Sequence, residues 1–330
     1  MKSCAALILA SLAVLSPAAF GRDRPMLVLV RTIPLPEVKG RIDHLALDRE
    51  NHRLFVAAFG NNSVEVVDLD SGRCIHSITG VAAPQCVLYL PADRTLAVTS
   101  SGTGTCDVYD GATYRKISTA RIGDDADNMQ YDGAEHDILI GYGSGGLAAL
   151  DEHSGLRIGD SRLSAHPEGF LLERSGRRVF INVPRHRNVV VLERPRFARI
   201  GAIALDGAGR NYPLAMDEAH HRLFTCLRNP GRLAVMNTET LRQIGSIRIA
   251  DDADNLHFDS ARGLLFASCG RGFIDVVSQV DADHYVLQAQ IRTAWGARTS
   301  VFSQESGLLY LAVPRSRGQR AEIRVYQYRP

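Results

Sequence analysis

The sequence predicts an all-β fold: a seven-bladed β-propeller of four-stranded blades, closed by an N-terminal strand that completes the last blade. Three observations lead to this prediction. A unit of about 43 residues recurs seven times along the chain. Each unit holds four short runs rich in β-branched residues, divided by Gly, Asp, Asn and Pro, with no clear helical period. The last unit lacks a fourth strand, and a spare strand-like segment precedes the first unit.

The repeat is clearest at the apolar residue that begins the first strand of each unit. These residues lie 41 to 45 positions apart, at Leu45, Val87, Met129, Phe170, Leu214, Leu256 and Val301. Four strands in about 40 residues is the size of a propeller blade. One blade cannot bury both of its faces alone, so the repeats are expected to stack around a central axis. A count of six or eight blades is the alternative.

The two ends of the chain predict how the ring closes. The seventh unit stops after its third strand, AEIRVYQY. The segment Met26–Leu35 resembles the fourth strands RFARIGAIAL and LRQIGSIRIA, so we expect it to form the outermost strand of the seventh blade. This pairing would remove two open sheet edges. Pro34 suits such an edge strand, where a missing backbone donor costs little.

The second strands of the units carry a recurring motif. It reads RLFVAAF, RTLAVTS, RVFINVP, RLFTC and LLYLAVP, followed by a polar turn and then strands such as VEVVD. In this pattern the mature chain resembles the YVTN-repeat family, in particular its YncE-like exported bacterial branch, although the tetrapeptide Tyr-Val-Thr-Asn is nowhere intact. The resemblance implies a seven-bladed propeller. It says little about function, because propellers host enzymes, electron-transfer subunits and binding scaffolds.

The N-terminal residues 1–21 are typical of a secretory signal peptide. Lys2 precedes an apolar run, Ala5–Leu15, which is followed by small residues. The apolar run is short for a membrane span, and an uncleaved anchor is the alternative. We therefore expect residues 22–330 to form one propeller domain, periplasmic or secreted, with no transmembrane segment after cleavage.

Composition narrows the function classes. The chain has 330 residues, of which 45% are hydrophobic and 22% charged, and its formal net charge is +2. These values exclude a disordered chain and a polytopic membrane protein, and the near-neutral charge argues against nucleic acid as the main partner. Only Lys2, Lys39 and Lys116 are lysines, which leaves Schiff-base chemistry few candidates. A monomer is expected.

Five cysteines follow the predicted signal peptide, and none forms a C-x-x-C pair. Zinc ribbons, dithiol redox motifs and c-type haem attachment are therefore not indicated. Cys86 could form a disulfide with Cys74 or Cys106, which are near it in sequence. The alternative is a set of buried free thiols that act as small apolar residues.

Polar residues recur where each first strand begins, and in a propeller these turns surround one mouth of the central channel. The turn Asp-Asp-Ala-Asp-Asn occurs twice, at 124–128 and 251–255. Arg41, Arg210 and His166 belong to the same mouth. The predicted ligand-binding residues are Asp43, His44, Asp127, Asn128, Glu168, Asn211, Asp254, Asn255 and Arg298. Since Asp and Asn also stabilise tight turns, a purely structural role for these residues is the alternative.

Clustered carboxylates at this mouth suggest a cation. Asp127, Asp254 and Glu168 are the candidate metal ligands, and oxygen ligands of this kind suit Ca²⁺ or Mg²⁺. A neutral histidine nearby would extend the choice to a transition metal.

The sequence favours binding over catalysis, because it contains neither G-x-S-x-G nor H-E-x-x-H. The expected function is an exported scaffold whose channel mouth binds a small polar ligand or a protein partner. A metal-assisted lactonase or lyase at the same mouth is the alternative. An accessory subunit of a periplasmic redox system is a further one.

Overall fold

The computed structural model describes residues 26–207 and 209–329. Within these residues, 28 strands form seven antiparallel sheets of four strands each, with almost no helix. The predicted all-β, seven-bladed architecture is therefore confirmed. The predicted signal peptide lies outside the described residues. No helix in the described part of the chain is both long enough and apolar enough to cross a bilayer.

The first four blades follow one another in chain order after strand β1 (Leu27–Pro34). Blade 1 contains β2 (Leu45–Asp48), β3 (Arg53–Ala58), β4 (Ser63–Asp68) and β5 (Arg73–Thr79). Blade 2 contains β6 (Pro84–Leu90), β7 (Thr95–Ser100), β8 (Thr105–Asp110) and β9 (Lys116–Arg121). Blade 3 contains β10 (Met129–Asp132), β11 (Asp137–Tyr142), β12 (Gly146–Asp151) and β13 (Arg157–Arg162). Blade 4 contains β14 (Phe170–Leu172), β15 (Arg178–Val183), β16 (Asn188–Glu193) and β17 (Ala198–Ala204).

The last three blades complete the ring. Blade 5 contains β18 (Asn211–Asp217), β19 (Arg222–Arg228), β20 (Gly231–Asn237) and β21 (Arg242–Arg248). Blade 6 contains β22 (Ala253–Asp259), β23 (Leu264–Cys269), β24 (Phe273–Gln279) and β25 (Tyr285–Arg292). Blade 7 contains β26 (Thr299–Ser303), β27 (Leu308–Val313), β28 (Glu322–Tyr328) and β1. Two short 3₁₀ turns, Phe59–Asn61 and Pro184–His186, join second to third strands.

The ring closes as the chain ends predict. Strand β1 pairs antiparallel with β28, from Leu27 opposite Tyr328 to Pro34 opposite Glu322, and is the outermost strand of blade 7. Pro34 therefore lies on an edge strand, where its missing N–H breaks no ladder. Both chain ends contribute to one sheet, so blade 7 holds the ring together.

The core lies between the blades. Second and third strands are buried on both faces because each blade packs on two neighbours, which explains their continuous apolar runs. Within the described residues, apolar side chains form seven clusters, one between each pair of adjacent blades. For example, Phe55 of blade 1 stacks on Tyr89 of blade 2 with ring centroids 5.4 Å apart.

Each outermost strand carries an irregularity that the sequence repeat does not reveal. In every blade the pairing of the third with the fourth strand contains a register shift. A bulge at this point increases local twist and interrupts the exposed edge. The bulges therefore protect all seven edges from pairing with other chains.

Of the two alternatives for the cysteines, disulfides or free thiols, the structure shows free thiols. All five described cysteines are unpaired, so neither predicted disulfide of Cys86 forms. Four of the thiols are buried, and only Cys74 is exposed. The Cys106 sulfur lies 3.9 Å from the sulfur of Met129, in the apolar core between blades 2 and 3. Burial raises the pKa of the Cys226 thiol well above its usual range, which makes it unreactive.

Candidate functional site at the channel mouth

The first strands of the blades line a central cavity of about 870 Å³. At one mouth of this channel, the turns that lead into the first strands bring polar side chains together. The structure places eight of the nine predicted ligand-binding residues along this cavity: Asp43, His44, Asp127, Asn128, Glu168, Asp254, Asn255 and Arg298. The recurrence of these turns in sequence was thus sufficient to locate them on one surface.

Asn211 is the exception. Its side chain is 0% exposed, and its amide donates hydrogen bonds to Asn182 Oδ1 at 2.5 Å and to the Asn188 carbonyl at 2.9 Å. Both partners belong to blade 4, so Asn211 joins blades 4 and 5. The structure gives it a role in blade packing away from the channel.

The backbone holds the acidic residues of the mouth in equivalent positions. The amides of Asp43, Asp127 and Glu168 donate to carbonyls of the second strands of their own blades, at 2.8, 2.9 and 2.9 Å. Because these backbone hydrogen bonds hold the turns, the acidic side chains are not needed to cap them. They are directed to other side chains or to the cavity.

Arginines neutralise one side of the mouth. Asp254 forms ion pairs with Arg228 and with Arg298, whose Nε lies 3.0 Å from Asp254 Oδ2. Arg298 also pairs with Asp252 at 3.0 Å. Burial alone would raise the pKa of Asp254, but the charges of Arg228 and Arg298 outweigh it and lower the pKa. The negative charge of Asp254 is therefore neutralised by these two arginines.

At Asp43, by contrast, burial has a larger effect on the pKa than the neighbouring positive charges have. Asp43 is 1% exposed and pairs with Arg41, and the ring of His44 lies 3.9 Å from its carboxylate. Burial raises its pKa to about 6, because His44 and the half-exposed Arg41 compensate only in part and Asp127 and Asp254 add repulsion. The charged form of Asp43 is therefore costly to the fold.

This cost predicts a pH-dependent effect of Asp43→Asn. A raised folded-state pKa contributes stability at low pH, and this contribution is lost as the pH rises from about 4 through about 6. Relative to wild type, Asp43→Asn should therefore gain on the order of 2 to 3 kcal/mol of unfolding free energy between pH 4 and pH 7. Urea unfolding of metal-free protein at several pH values measures this difference.

Asp48→Asn is the matched control. Burial raises the pKa of Asp48, but hydrogen bonds from Arg53 and Asn51 outweigh burial and lower it. Its contribution to stability is present above the unfolded pKa and lost as pH falls, so this variant should fall further behind wild type as pH rises. A pH-independent difference for Asp43→Asn would contradict the assigned burial cost.

The other side of the mouth holds a cluster without arginine. One ligand-type atom from each of Asp127, His166 and Glu168 lies within 4.8 Å of the others, and His166 Nε2 is 3.7 Å from Asp127 Oδ2. Nδ1 of His166 lies 2.6 Å from the carbonyl oxygen of Gly143, a distance at which it donates to that oxygen. The structure does not bring Asp254 into this cluster, and it substitutes His166 for the third carboxylate expected from sequence.

The pKa values of Glu168 and His166 in this cluster are both raised. Burial raises the pKa of Glu168, and the negative charge of Asp127 raises it further. Burial would lower the pKa of His166, yet Asp127, the Gly143 carbonyl and Glu168 together raise it. The cluster therefore carries excess negative potential, which a proton on His166 partly offsets.

A second cavity of about 1200 Å³, the vestibule, adjoins the channel mouth on the loops of blades 4 to 6. It shares His166, Glu168, Tyr212 and Arg228 with the channel lining. Four further arginines and the exposed side chain of Trp295 line it: Arg185, Arg187, Arg210 and Arg271. Among the described residues, none of these four arginines has a carboxylate within 4 Å, whereas both lining aspartates, Asp251 and Asp252, pair with other arginines.

Sequence reasoning missed most of the vestibule. It placed Arg210 and His166 at the mouth but not Arg185, Arg187, Arg271 or Trp295. These residues lie in loops between second and third strands or between blades, where the repeat pattern carries little signal. The pairing of Arg228 with Asp254 is also invisible in sequence, since the two residues belong to adjacent blades.

Seven four-stranded blades around a channel with a polar mouth define a seven-bladed β-propeller. A chain from a crystal structure of a mitotic checkpoint complex matches it with a TM-score of 0.75 and 14% identity, over 99% of this chain and 98% of that one. A chain of hydrazine synthase from Kuenenia stuttgartiensis matches with a TM-score of 0.72 and 12% identity, over 88% and 96%. At such identities the likeness shows the fold alone. No family model and no curated protein sequence matches the chain.

Proposed function

We propose that the protein is a binding scaffold whose vestibule takes a small anionic ligand carrying carboxylate or phosphate groups. One observation carries this proposal: four arginines without a carboxylate partner, within the described residues, surround a cavity next to the channel mouth. Arginine forks bind carboxylate and phosphate oxygens in a bidentate manner. An anion in the vestibule would gain ion pairs and charge-assisted hydrogen bonds from arginines of which only Arg187 donates a side-chain hydrogen bond to the described part of the protein, to the Gly207 carbonyl at 3.3 Å.

The second support is the aromatic wall of the same cavity. Trp295 is 63% exposed, and the guanidinium of Arg271 lies 5.0 Å from the centre of its ring. Tryptophan and arginine are both enriched at the centres of binding interfaces, and here they line one wall of the same cavity. Trp295 is also the only tryptophan in the chain, so its fluorescence reports on the vestibule alone.

We propose further that the protein is an exported, YncE-like propeller of the YVTN-repeat type, located in the periplasm or outside the cell. The signal-like N-terminal residues 1–21 and the repeated second-strand motifs support this proposal. N-terminal sequencing of the exported chain checks this, with a start at Arg22 expected and a retained Met1 against it.

Citrate and pyrophosphate are suitable probes, titrated into metal-free protein while Trp295 emission is recorded. We expect a saturable change with both anions, no change with glucose, and weaker binding at high salt because the contacts are electrostatic. Arg185→Ala with Arg187→Ala should weaken anion binding at least about tenfold, since hydrogen bonds to charged groups contribute about 1.5 to 3 kcal/mol each.

The matched control is Arg315→Ala with Arg317→Ala. These arginines lie in the equivalent loop between second and third strands of blade 7, outside the vestibule lining, and their loss changes the net charge by the same amount. This variant should bind the probes as wild type does. Equal weakening in both double variants would indicate a general charge effect, and the absence of any saturable response would reject the anion site.

A further inference from the structure

The cluster of Asp127, His166 and Glu168 lies where the channel meets the vestibule. His166 and Glu168 line both cavities, and Asp127 lines the channel. The turn that leads into blade 3 supplies the aspartate, and the turn that leads into blade 4 supplies the other two residues. We propose that these three side chains form a zinc site, with one coordination position open toward the vestibule.

The two carboxylates lack partners of the kind that the other buried acids of the mouth have. Asp127 is only 8% exposed, yet its carboxylate has only His166 beside it, with Nε2 at 3.7 Å, and within the described residues no arginine forms an ion pair with Asp127 or Glu168. Asp43 and Asp254, by contrast, are paired with arginines. Buried charges are normally paired or bound to a metal, because leaving them unpaired is costly.

The histidine is oriented as a metal ligand would be. Its Nδ1 donates to the Gly143 carbonyl at 2.6 Å, so Nε2 is the ring nitrogen directed to the side of Asp127, where zinc would displace its proton. Metal-binding histidines usually donate their second ring nitrogen to a backbone carbonyl or carboxylate in this way. Pro167, between His166 and Glu168, restricts the backbone that carries both side chains.

The backbone around the cluster is also fixed. The hydroxyl of Thr99 donates to the Asp127 carbonyl at 2.7 Å, and the Glu168 amide donates to the Asn182 carbonyl at 2.9 Å. The three ligand-type atoms lie within 4.8 Å of one another, so only the side-chain ends have to move to reach bond lengths of about 2.0 to 2.2 Å. The protein therefore presents the ligands on turns that backbone hydrogen bonds fix to the strands, as a specific site requires.

The ligand atoms of this cluster favour zinc over Ca²⁺ and Mg²⁺. One imidazole nitrogen with two carboxylates suits zinc, whereas Ca²⁺ and Mg²⁺ prefer oxygen ligands alone. Three protein ligands leave the fourth position of a tetrahedral ion vacant. That open position deepens the proposed function, since an anion held by the vestibule arginines could bind the ion there. The zinc site itself does not depend on it.

Zinc titration of the chain in a Cys74→Ser background tests the proposal, since Cys74 is the one exposed thiol among the described cysteines. The protein carries no histidine tag, and metal is removed beforehand by chelation and dialysis. We expect one zinc ion per chain by elemental analysis, competition by neither Ca²⁺ nor Mg²⁺, and a rise in melting temperature on zinc binding. His166→Ala and Glu168→Gln should each weaken binding about 100-fold or more.

Two controls make the result specific. His44→Ala removes another channel histidine, and His153→Ala removes the histidine of a surface cluster with Asp93 and Glu152. Both should retain one zinc ion. Retention of zinc by His166→Ala, or its loss on His153→Ala, would overturn the proposal, as would the absence of stoichiometric zinc. Circular dichroism of the metal-free variants shows whether they fold, and the isosteric Asp127→Asn replaces any that does not.

The zinc-binding experiment and the anion-binding experiment can each succeed or fail independently of the other. Anion binding is measured on metal-free protein, and zinc binding is measured without the anions. If citrate binds while zinc does not, the vestibule site stands and the metal site is rejected. If zinc binds at one per chain while no anion perturbs Trp295, the metal site stands without the proposed ligand.

Discussion

Deletion of Met26–Leu35 should prevent the propeller from closing and leave a chain that does not unfold cooperatively. This segment contains strand β1, the fourth strand of blade 7, and its side chains Leu27, Ile33 and Leu35 are almost completely buried. Without it, β28 becomes an open sheet edge and the apolar cluster between blades 7 and 1 loses part of its wall. Denaturant unfolding followed by circular dichroism, together with size-exclusion chromatography, measures the loss.

A point substitution in the same strand gives a graded version of this test. Ile33→Ala should lower the free energy of unfolding by about 2 to 5 kcal/mol, the range for truncating a fully buried aliphatic side chain. Leu29→Ala is the matched control, because Leu29 is 47% exposed on the same strand and its loss should cost about 0.5 kcal/mol or less. Equal costs at the two positions would show that β1 is not packed as the outer strand of blade 7.

Arg194→Met should destabilise the protein by about 3 to 5 kcal/mol. Arg194, in blade 4, forms a buried ion pair with Asp132 at the end of the first strand of blade 3. It also donates to the carbonyls of Glu173 and Gly176, each at 2.7 Å. Methionine keeps the length of the side chain but leaves Asp132 buried without its counter-charge, which is the costly state.

The double variant Arg194→Met with Asp132→Asn separates the ion pair from the packing of the arginine. If the pair carries the effect, the double variant should cost less than the sum of the single variants. Arg196→Met is the control, since Arg196 is exposed nearby and has no carboxylate within 4 Å among the described residues. Additive costs, or an equal cost for Arg196→Met, would contradict a coupling between blades 3 and 4.

The channel mouth was predictable to a large extent because repetition makes it visible. Asp127 and Asp254 occupy the same place in two nearly identical turns, and this alone placed both at one end of the channel. Their chemistry was not predictable. Asp254 pairs with Arg228 and Arg298, whereas Asp127 faces His166 and Glu168. The difference comes from the neighbouring blades, whose loops vary.

Asn211 illustrates the limit of the same reasoning. It begins the first strand of blade 5, as the repeat predicts for residues of the mouth, but the side chain points into the contact between blades 4 and 5. The direction of a side chain at the start of a strand depends on local register. Strand β18 contains a register shift between Asn211 and Leu214, which the alternation of apolar residues does not show.

The sequence by itself determined the class of fold, the number of blades and the strand that closes the ring. These follow from local information, namely strand-sized apolar runs, turn residues and a constant period, which repeat seven times and so reinforce one another. Only the tertiary structure decided which acids are neutralised, that the thiols remain free, and that arginines and Trp295 surround a vestibule. Those features depend on contacts between residues of different blades, and the energy of a charge is set by its partners in space.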